Sequence, residues 1–142
     1  MDKQIRAWVE AEWANHPRTA WLLTDAQLII EASSDAAAQW AIEPTTTVVG
    51  QALPSLFPEL IGVEDILTRL AHGQGGPFEL CRIYRAGQAG EARYFDLEIE
   101  LWLHRPQRLL VSISDVTAQA LREQQAQQKL NEKRLKSGTA KS

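Results

Sequence analysis

The chain has one cysteine, three histidines and no long apolar run. Cys81 is a single thiol, so it cannot close an internal disulfide or build a cysteine-based zinc site, and it fits a reducing compartment. A membrane-spanning helix needs about 18 consecutive apolar residues, and no stretch approaches that length. The first residues also lack the long apolar segment of a signal peptide. We therefore expect a cytoplasmic protein without a membrane partner.

Motifs of the common catalytic sites are absent as well. The chain has no Gly-x-Ser-x-Gly elbow, no phosphate-binding Walker loop and no zinc-binding helix motif. His16, His72 and His104 have unrelated spacings, so they predict no metal site. An enzyme would also need a buried polar pair, and no pair of residues stands out for that role. The sequence therefore predicts neither catalytic residues nor a bound metal.

Positive charge is scarce in most of the chain. Residues 1–115 contain 9 Lys and Arg against 16 Asp and Glu, a net charge of −7, whereas residues 116–142 contain 6 against 2, a net charge of +4. Basic segments can bind nucleic acid. Here the basic residues are spread out, and no aromatic residues lie among them to stack on bases. We interpret this segment as a solvated helix face and predict no nucleic-acid partner.

Residues 1–17 are predicted to form an amphipathic cap helix that ends at Pro17. Its apolar stripe, at helical spacing, consists of Ile5, Trp8, Val9 and Trp13. So short a helix is stable only when its stripe is covered, by its own domain or by a second copy of the chain. Trp102, on the outer face of a predicted strand, also needs cover. We therefore predict that the first helix packs on the outer sheet face of its own or a partner subunit.

The middle of the chain predicts an α+β fold. Alternating and β-branched segments indicate strands at residues 20–24, 28–32, 77–85, 93–104 and 108–114. Short helices are expected between the second and third strands, at residues 36–41, 53–60 and 61–72. The fourth strand has the clearest alternation, with one face formed by Phe95, Leu97, Ile99, Leu101 and Leu103. The predicted architecture is a five-stranded antiparallel sheet with small helices on one face, over residues 18–117.

A helix is predicted to follow this domain at residues 118–136. The stretch from Ala118 to Leu135 contains neither glycine nor proline and consists mainly of good helix formers. Two heptad registers are possible, but neither has the sustained apolar seam of a stable coiled coil. A weak two-helix connector and a frayed single helix are both compatible with this pattern. Residues 137–142 are expected to be a disordered end.

The junction between the last strand and this helix is Asp115-Val116-Thr117. Short side chains of Asp and Thr can accept the unpaired N–H groups at a helix start, so a helix cap is the simplest role for either residue. Several further motifs precede this junction in the sequence. They are a strand that ends in Asp25, a second strand that runs into Ser34-Asp35-Ala36-Ala37, and Val49-Gly50-Gln51-Ala52-Leu53 followed by Leu56-Phe57-Pro58.

In this order and spacing, residues 20–117 resemble the PAS sensory domain family. One departure is that the family's common Asn after the second strand is Asp35 here. The resemblance implies that Asp115, Val116 and Thr117 transmit a signal from the last strand to a helix and an output domain. It also implies a cup between the sheet and the small helices. The candidate cup-lining residues are Trp40, Phe57, Leu67, Tyr84 and Leu97.

Cofactors of known PAS domains do not match the residues of this chain. The reactive cysteine of flavin-binding members lies in a helix, whereas Cys81 lies in a predicted strand, where we expect a buried and inert thiol. Haem-binding members use a histidine that faces the cup, whereas His72 ends its helix. We therefore expect neither flavin nor haem, and the ligand is unknown.

Two functional hypotheses remain. The first is a bacterial sensory or regulatory module that dimerises and relays a ligand, redox or conformational signal to an output domain, such as a histidine kinase of a two-component system, a cyclase or a transcription regulator. The alternative is a ligand-free module for protein interaction and dimerisation. Side chains that fill the cup completely would favour the alternative.

Overall fold

The computed structural model describes residues 20–43 and 47–140, together with Gln4, Ala7, Val9 and Ala11. Residues 136–140 are described by their backbone only. Helical backbone is present at the four described positions near the N-terminus. Ile5, Trp8 and Trp13 of the predicted stripe lie outside the described residues.

Five strands form one antiparallel sheet in the order β2-β1-β5-β4-β3. The strands are β1 (Ala20–Thr24), β2 (Ile30–Ser33), β3 (Phe78–Ala86), β4 (Ala92–Leu101) and β5 (Leu109–Asp115). The central strand β5 is buried over almost its whole length, as expected for a β-branched, apolar segment with a neighbour on each side. The predicted five-stranded antiparallel sheet is confirmed.

Short helices connect β2 to β3. They are a 3₁₀ helix (Asp35–Trp40), α1 (Leu53–Leu56), a second 3₁₀ helix (Pro58–Leu60) and α2 (Glu64–Ala71). Pro58 stops α1 from continuing, because it has no N–H to donate to the carbonyl four residues before it. Gly73, at φ +82°, ends α2 by allowing its own N–H and that of the next residue to reach carbonyls of the last turn.

A long helix, α3 (Thr117–Ala140), follows β5 directly. It continues to Ala140, beyond its predicted end at residue 136. No helix in the described part of the chain combines the length and the apolar character that a membrane span requires.

The main core lies between the inner sheet face and the small helices. Phe95, Leu97 and Ile99 of β4 are fully buried there, as their alternation predicts. Leu103 does not continue this face and is 88% exposed. The strand ends at Leu101, and the Trp102 N–H donates to the Arg108 carbonyl at 2.9 Å to close the turn into β5.

A second apolar cluster lies on the outer face of the sheet. It consists of Val9, Trp21, Leu23, Ala32, Trp102 and Leu110. Val9 and Trp102 are both buried. The first helix therefore contributes at least Val9 to the surface that covers Trp102, and a role of this stripe between two subunits stays a prediction.

A bulge in β3 changes which residues face the core. Leu80 pairs with Leu97 and Ile83 pairs with Phe95, so three steps along β3 match two along β4. Arg82 absorbs the extra residue at φ +60°. After the bulge, Ile83 and the residue two positions on face inward, and the intervening side chain faces outward.

The two leucines of β4 and its turn give a matched test of the core. We expect Leu97→Ala to lower the free energy of unfolding by about 2–5 kcal/mol, because it leaves a cavity in a close-packed core. Leu103→Ala should change it by less than about 0.5 kcal/mol, since that side chain is exposed. Urea unfolding followed by tryptophan fluorescence measures both. Equal effects of the two substitutions would contradict the assignment of the inner face.

Candidate functional site

Residues 115–117, which we call the exit junction, are hydrogen-bonded to the neighbouring strand β4. The Thr117 N–H donates to Asp115 Oδ1 at 3.0 Å, which closes a turn at the helix start. Thr117 Oγ1 accepts the Tyr94 N–H at 3.0 Å and lies 3.3 Å from the Tyr94 carbonyl oxygen. The Val116 N–H also donates to that carbonyl, at 3.0 Å. The first residues of α3 therefore continue the pairing of β5 with β4.

Arg82 at the bulge links the edge strand β3 to α3. Its guanidinium Nη2 lies 2.6 Å from Glu123 Oε2, and Nη1 lies 3.5 Å from the Val116 carbonyl oxygen. The Arg82 N–H donates to Asp96 Oδ1 at 2.9 Å, which fixes the bulged backbone. The ion pair is 34% and 59% exposed on its two sides, so we assign it only about 0.2–1 kcal/mol.

Beyond its first turn, α3 projects away from the sheet. Ala120 is buried where the helix contacts β4, and Gln124 Nε2 donates to the Tyr94 hydroxyl at 3.1 Å. Every residue from Leu121 to Leu135 is exposed. The attachment is therefore confined to about the first two turns, and a change at the exit junction is free to reorient the rest of the helix.

Four of the five predicted cup-lining residues are buried in the main core. They are Trp40, Phe57, Leu67 and Leu97. The Phe95 ring lies between two of them, with centroid distances of 5.1 Å to Trp40 and 6.0 Å to Phe57. These side chains fill space between the sheet and the small helices.

Tyr84 is not in the cup, and the prediction for this residue is wrong. The β3 bulge turns it to the outer face, where it is 52% exposed and packs edge-to-face on Tyr94 at 5.8 Å. Arg85 takes the inward position instead.

The buried Arg85 is neutralised by Glu59 in the second 3₁₀ helix. Nη1 and Nη2 lie 2.6 and 2.9 Å from the two carboxylate oxygens, and Nε donates to the Trp40 carbonyl at 2.9 Å. The guanidinium also lies 5.1 Å from the Phe95 ring centroid. Burial alone would raise the pKa of Glu59, but the hydrogen bonds and charge of Arg85 hold the pKa below its ordinary value.

Cys81 is exposed on the edge strand, which corrects the expectation of a buried thiol. Its Sγ lies 3.2 Å from Glu79 Oε1, and this hydrogen bond, with burial and nearby carboxylates, raises the pKa of the thiol. A protonated thiol is a poor nucleophile. Glu79, Cys81 and Asp96 place their possible metal-ligand atoms within 4.8 Å of one another, but exposed acidic groups often cluster without an ion.

The predicted histidine positions do not come together in a site. His72 is exposed at the end of α2, and its Nδ1 lies 2.8 Å from the Thr68 carbonyl oxygen. His104 is exposed in the turn after β4, with its ring 5.2 Å from that of Trp102. His16 lies outside the described residues.

The residues that sequence reasoning missed are Glu59, Arg82, Arg85, Tyr94 and Glu123. Their contacts depend on the bulge and on pairs far apart in sequence, such as residues 82 and 123. A local signal was the presence of two arginines in a strand that has apolar residues on one face, since an arginine in a strand with one buried face needs an acceptor.

No family model matches the sequence, and no curated protein matches it. Solved structures do match. The PAS domain of BvgS from Bordetella pertussis is 15% identical, with 89% of this chain and 98% of that chain covered and a TM-score of 0.57. This chain has the PAS fold. The PAS domain of the quorum-sensing receptor RpfR from Cronobacter turicensis, solved in complex with C12:0, is 17% identical over 70% of this chain and 95% of that chain, with a TM-score of 0.51.

In the PAS fold of this chain, the five strands and the small helices occur in the order that the sequence predicted. The exit junction stands where the sheet ends and the projecting helix begins. The fold therefore combines a core that contains the buried Arg85 with a helix that begins where β5 ends.

As the pH falls, the free energy of unfolding should decrease more steeply for the wild-type protein than for the Glu59→Gln variant. Because the pKa of Glu59 is lowered in the folded state, its stabilisation is complete above the unfolded value of about 4.3 and is lost as pH falls through the folded value. We expect the wild-type unfolding free energy to decrease faster than that of the variant from about pH 6 to about pH 3. Urea unfolding at a series of pH values measures both slopes.

The control for this series is Glu43→Gln, a substitution of an exposed glutamate. It should keep the wild-type pH dependence. A Glu59→Gln variant with the same slope as wild type would refute the stabilising role of the charged Glu59.

Proposed function

We propose that this PAS domain is a sensory or regulatory module that relays a conformational change through the exit junction to an output domain. The observation that carries the proposal is the double contact of Thr117 Oγ1 with the backbone of Tyr94. Because of this contact, the start of α3 is held by the sheet itself. A shift of β4 relative to β5 must move the first turn of the helix.

The interactions that hold α3 in its orientation are weak, and weak interactions allow a relay to change between two states. The Arg82–Glu123 pair favours one orientation of α3, and its partial exposure keeps its strength small. A ligand or partner can shift an equilibrium only by its differential affinity for the two states. When the states differ by little in energy, a modest difference in affinity is enough to change their populations.

The output domain is proposed to be a histidine kinase, a cyclase or a transcription regulator, either linked to α3 or bound as a partner. We also propose that two copies associate along α3. Leu121 and Leu135 are exposed and 14 residues apart, which places them at the same heptad position, with Gln128 between them. So sparse a seam supports a weak dimer. The single free thiol supports a cytoplasmic location.

A second candidate function, a ligand-free interaction module, is favoured by the filled cup. The RpfR PAS domain was solved with C12:0, so the fold can hold an apolar ligand. In this chain, Trp40, Phe57 and Leu97 are fully buried between sheet and helices. Such a core would transmit changes that arise at its surface rather than inside it.

The relay predicts that loss of one hydroxyl group loosens α3. In Thr117→Val, we expect the amides of residues 118–124 to exchange hydrogen about fivefold faster, the factor that corresponds to about 1 kcal/mol for a lost hydrogen bond to β4. Hydrogen exchange of the full chain, read by mass spectrometry, measures this change. Thr68→Val, at an exposed position of α2, serves as the matched control. Unchanged protection of residues 118–124 in Thr117→Val would remove the basis for the relay.

Native mass spectrometry distinguishes the two candidate functions. Two chains with an added small-molecule mass would support a ligand sensor, and two chains without added mass would support the interaction module. We expect Leu121→Glu to shift the distribution toward single chains, because it places two carboxylates in the seam. Leu103→Glu, at an exposed leucine of the β4–β5 turn, should leave it unchanged. Single chains at every concentration would contradict dimerisation in both proposals.

A further inference from the structure

An open groove of about 770 Å³ lies between the first 3₁₀ helix and the β3–β4 hairpin. Its lining includes Gln39, Ile42, Arg85, Glu91 and Arg93. The groove is at the surface and does not include the buried residues of the cup. It is therefore accessible to a small molecule without any opening of the core.

Two arginines face each other across the strands at this groove. Arg85 and Arg93 are direct cross-strand partners in β3 and β4. Like charges in such positions repel unless acids neutralise them. Glu59 neutralises Arg85, whereas no ion pair of Arg93 occurs in the described part of the chain. Among the residues that the structure describes, one positive charge in the groove thus has no carboxylate partner.

Arg93 is held rigidly and has unused donors. Its guanidinium lies 4.5 Å from the centroid of the Trp40 ring, and it donates to the Gln39 carbonyl at 2.7 Å and to Gln39 Oε1 at 3.2 Å. An arginine has five N–H groups. Arg93 Nε is buried and has no hydrogen-bond partner among the described residues, as is also true of Trp40 Nε1. Each Nη keeps one further N–H beyond its bond to Gln39, so a ligand carboxylate could accept from both Nη atoms.

Glu91 does not supply that acceptor. Its Oε2 accepts the Ala89 N–H at 3.0 Å within the hairpin turn, and its carboxylate lies beside Gly87. The hairpin therefore directs this carboxylate into its own turn.

The groove also has apolar lining residues. Ala38, Ala41 and Ile42 line the same groove, and Ile42 is 48% exposed. We propose that this groove binds a small organic carboxylate. The carboxylate would pair with Arg93, in exchange for the exposed Gln39 amide oxygen, and the apolar body would cover Ile42. Arginine suits this role because its planar fork matches the two oxygens of a carboxylate.

The proposed carboxylate site does not depend on the proposed relay. Binding at the groove can be measured whether or not α3 changes its position. Benzoate and hexanoate are suitable probes, one flat and one linear. Benzamide and hexanamide are their uncharged controls. The full chain labelled with ¹⁵N reports binding through the Arg93 Nε–H, the Gln39 side-chain amide and the backbone amides of residues 38–42 and 87–93.

We expect at least one carboxylate to shift these signals in a saturable way, with a dissociation constant of about 1 mM, and its amide analogue to bind at least about tenfold more weakly. Arg93→Gln should weaken carboxylate binding about tenfold. Ile42→Glu should do the same by repulsion, at an exposed position where the substitution leaves the core intact. Arg122→Gln, at an exposed arginine of α3, should have no effect.

The proposal is overturned if neither carboxylate shifts the groove signals, or if each amide binds as well as its acid. It is also overturned if Ile42→Glu binds the carboxylate with wild-type affinity. The Ile42→Glu result would overturn the proposal even if the Arg93→Gln variant failed to fold.

Discussion

One extra residue in β3 determines the direction of every side chain that follows it in that strand. Without the bulge, simple alternation from Leu80 would point Arg82 and Tyr84 into the core. With it, Arg85 enters the core and meets Glu59, while Arg82 reaches α3. The ion pair of Arg85 with Glu59, the outer tyrosine pair and the link to the projecting helix all follow from this backbone irregularity.

The pattern of apolar residues was enough to predict the sheet. In β4, Phe95, Leu97 and Ile99 alternate with charged residues, and the same alternation is present in the structure. The PAS fold followed from the order of such elements. The end of β4 could not be read in this way, because Trp102 and Leu103 continue the alternation although the backbone has already begun to turn.

The candidate site was predictable only in part. The three junction residues were visible because Asp and Thr are the residue types that begin helices. Their partner Tyr94 was not visible, since the contact joins its backbone to a side chain 23 residues away. Nor could the bulge be predicted, because a positive φ at an arginine has no signature in the residue type. The wrong placement of Tyr84 comes from that one missing piece of information. Cys81 precedes the extra residue and faces outward by simple alternation from Leu80.

The exposed length of α3 gives the exit junction a mechanical advantage. From Ala120, the last residue buried against the sheet, to Ala140, the helix extends about 30 Å at 1.5 Å per residue. A tilt of about 10° at the first turn would therefore displace the far end by about 5 Å, close to one helical turn. If the exit junction relays a change as proposed, a small rotation of the first turn about the Thr117 hydrogen bonds would become a movement as large as a side chain at the far end of α3.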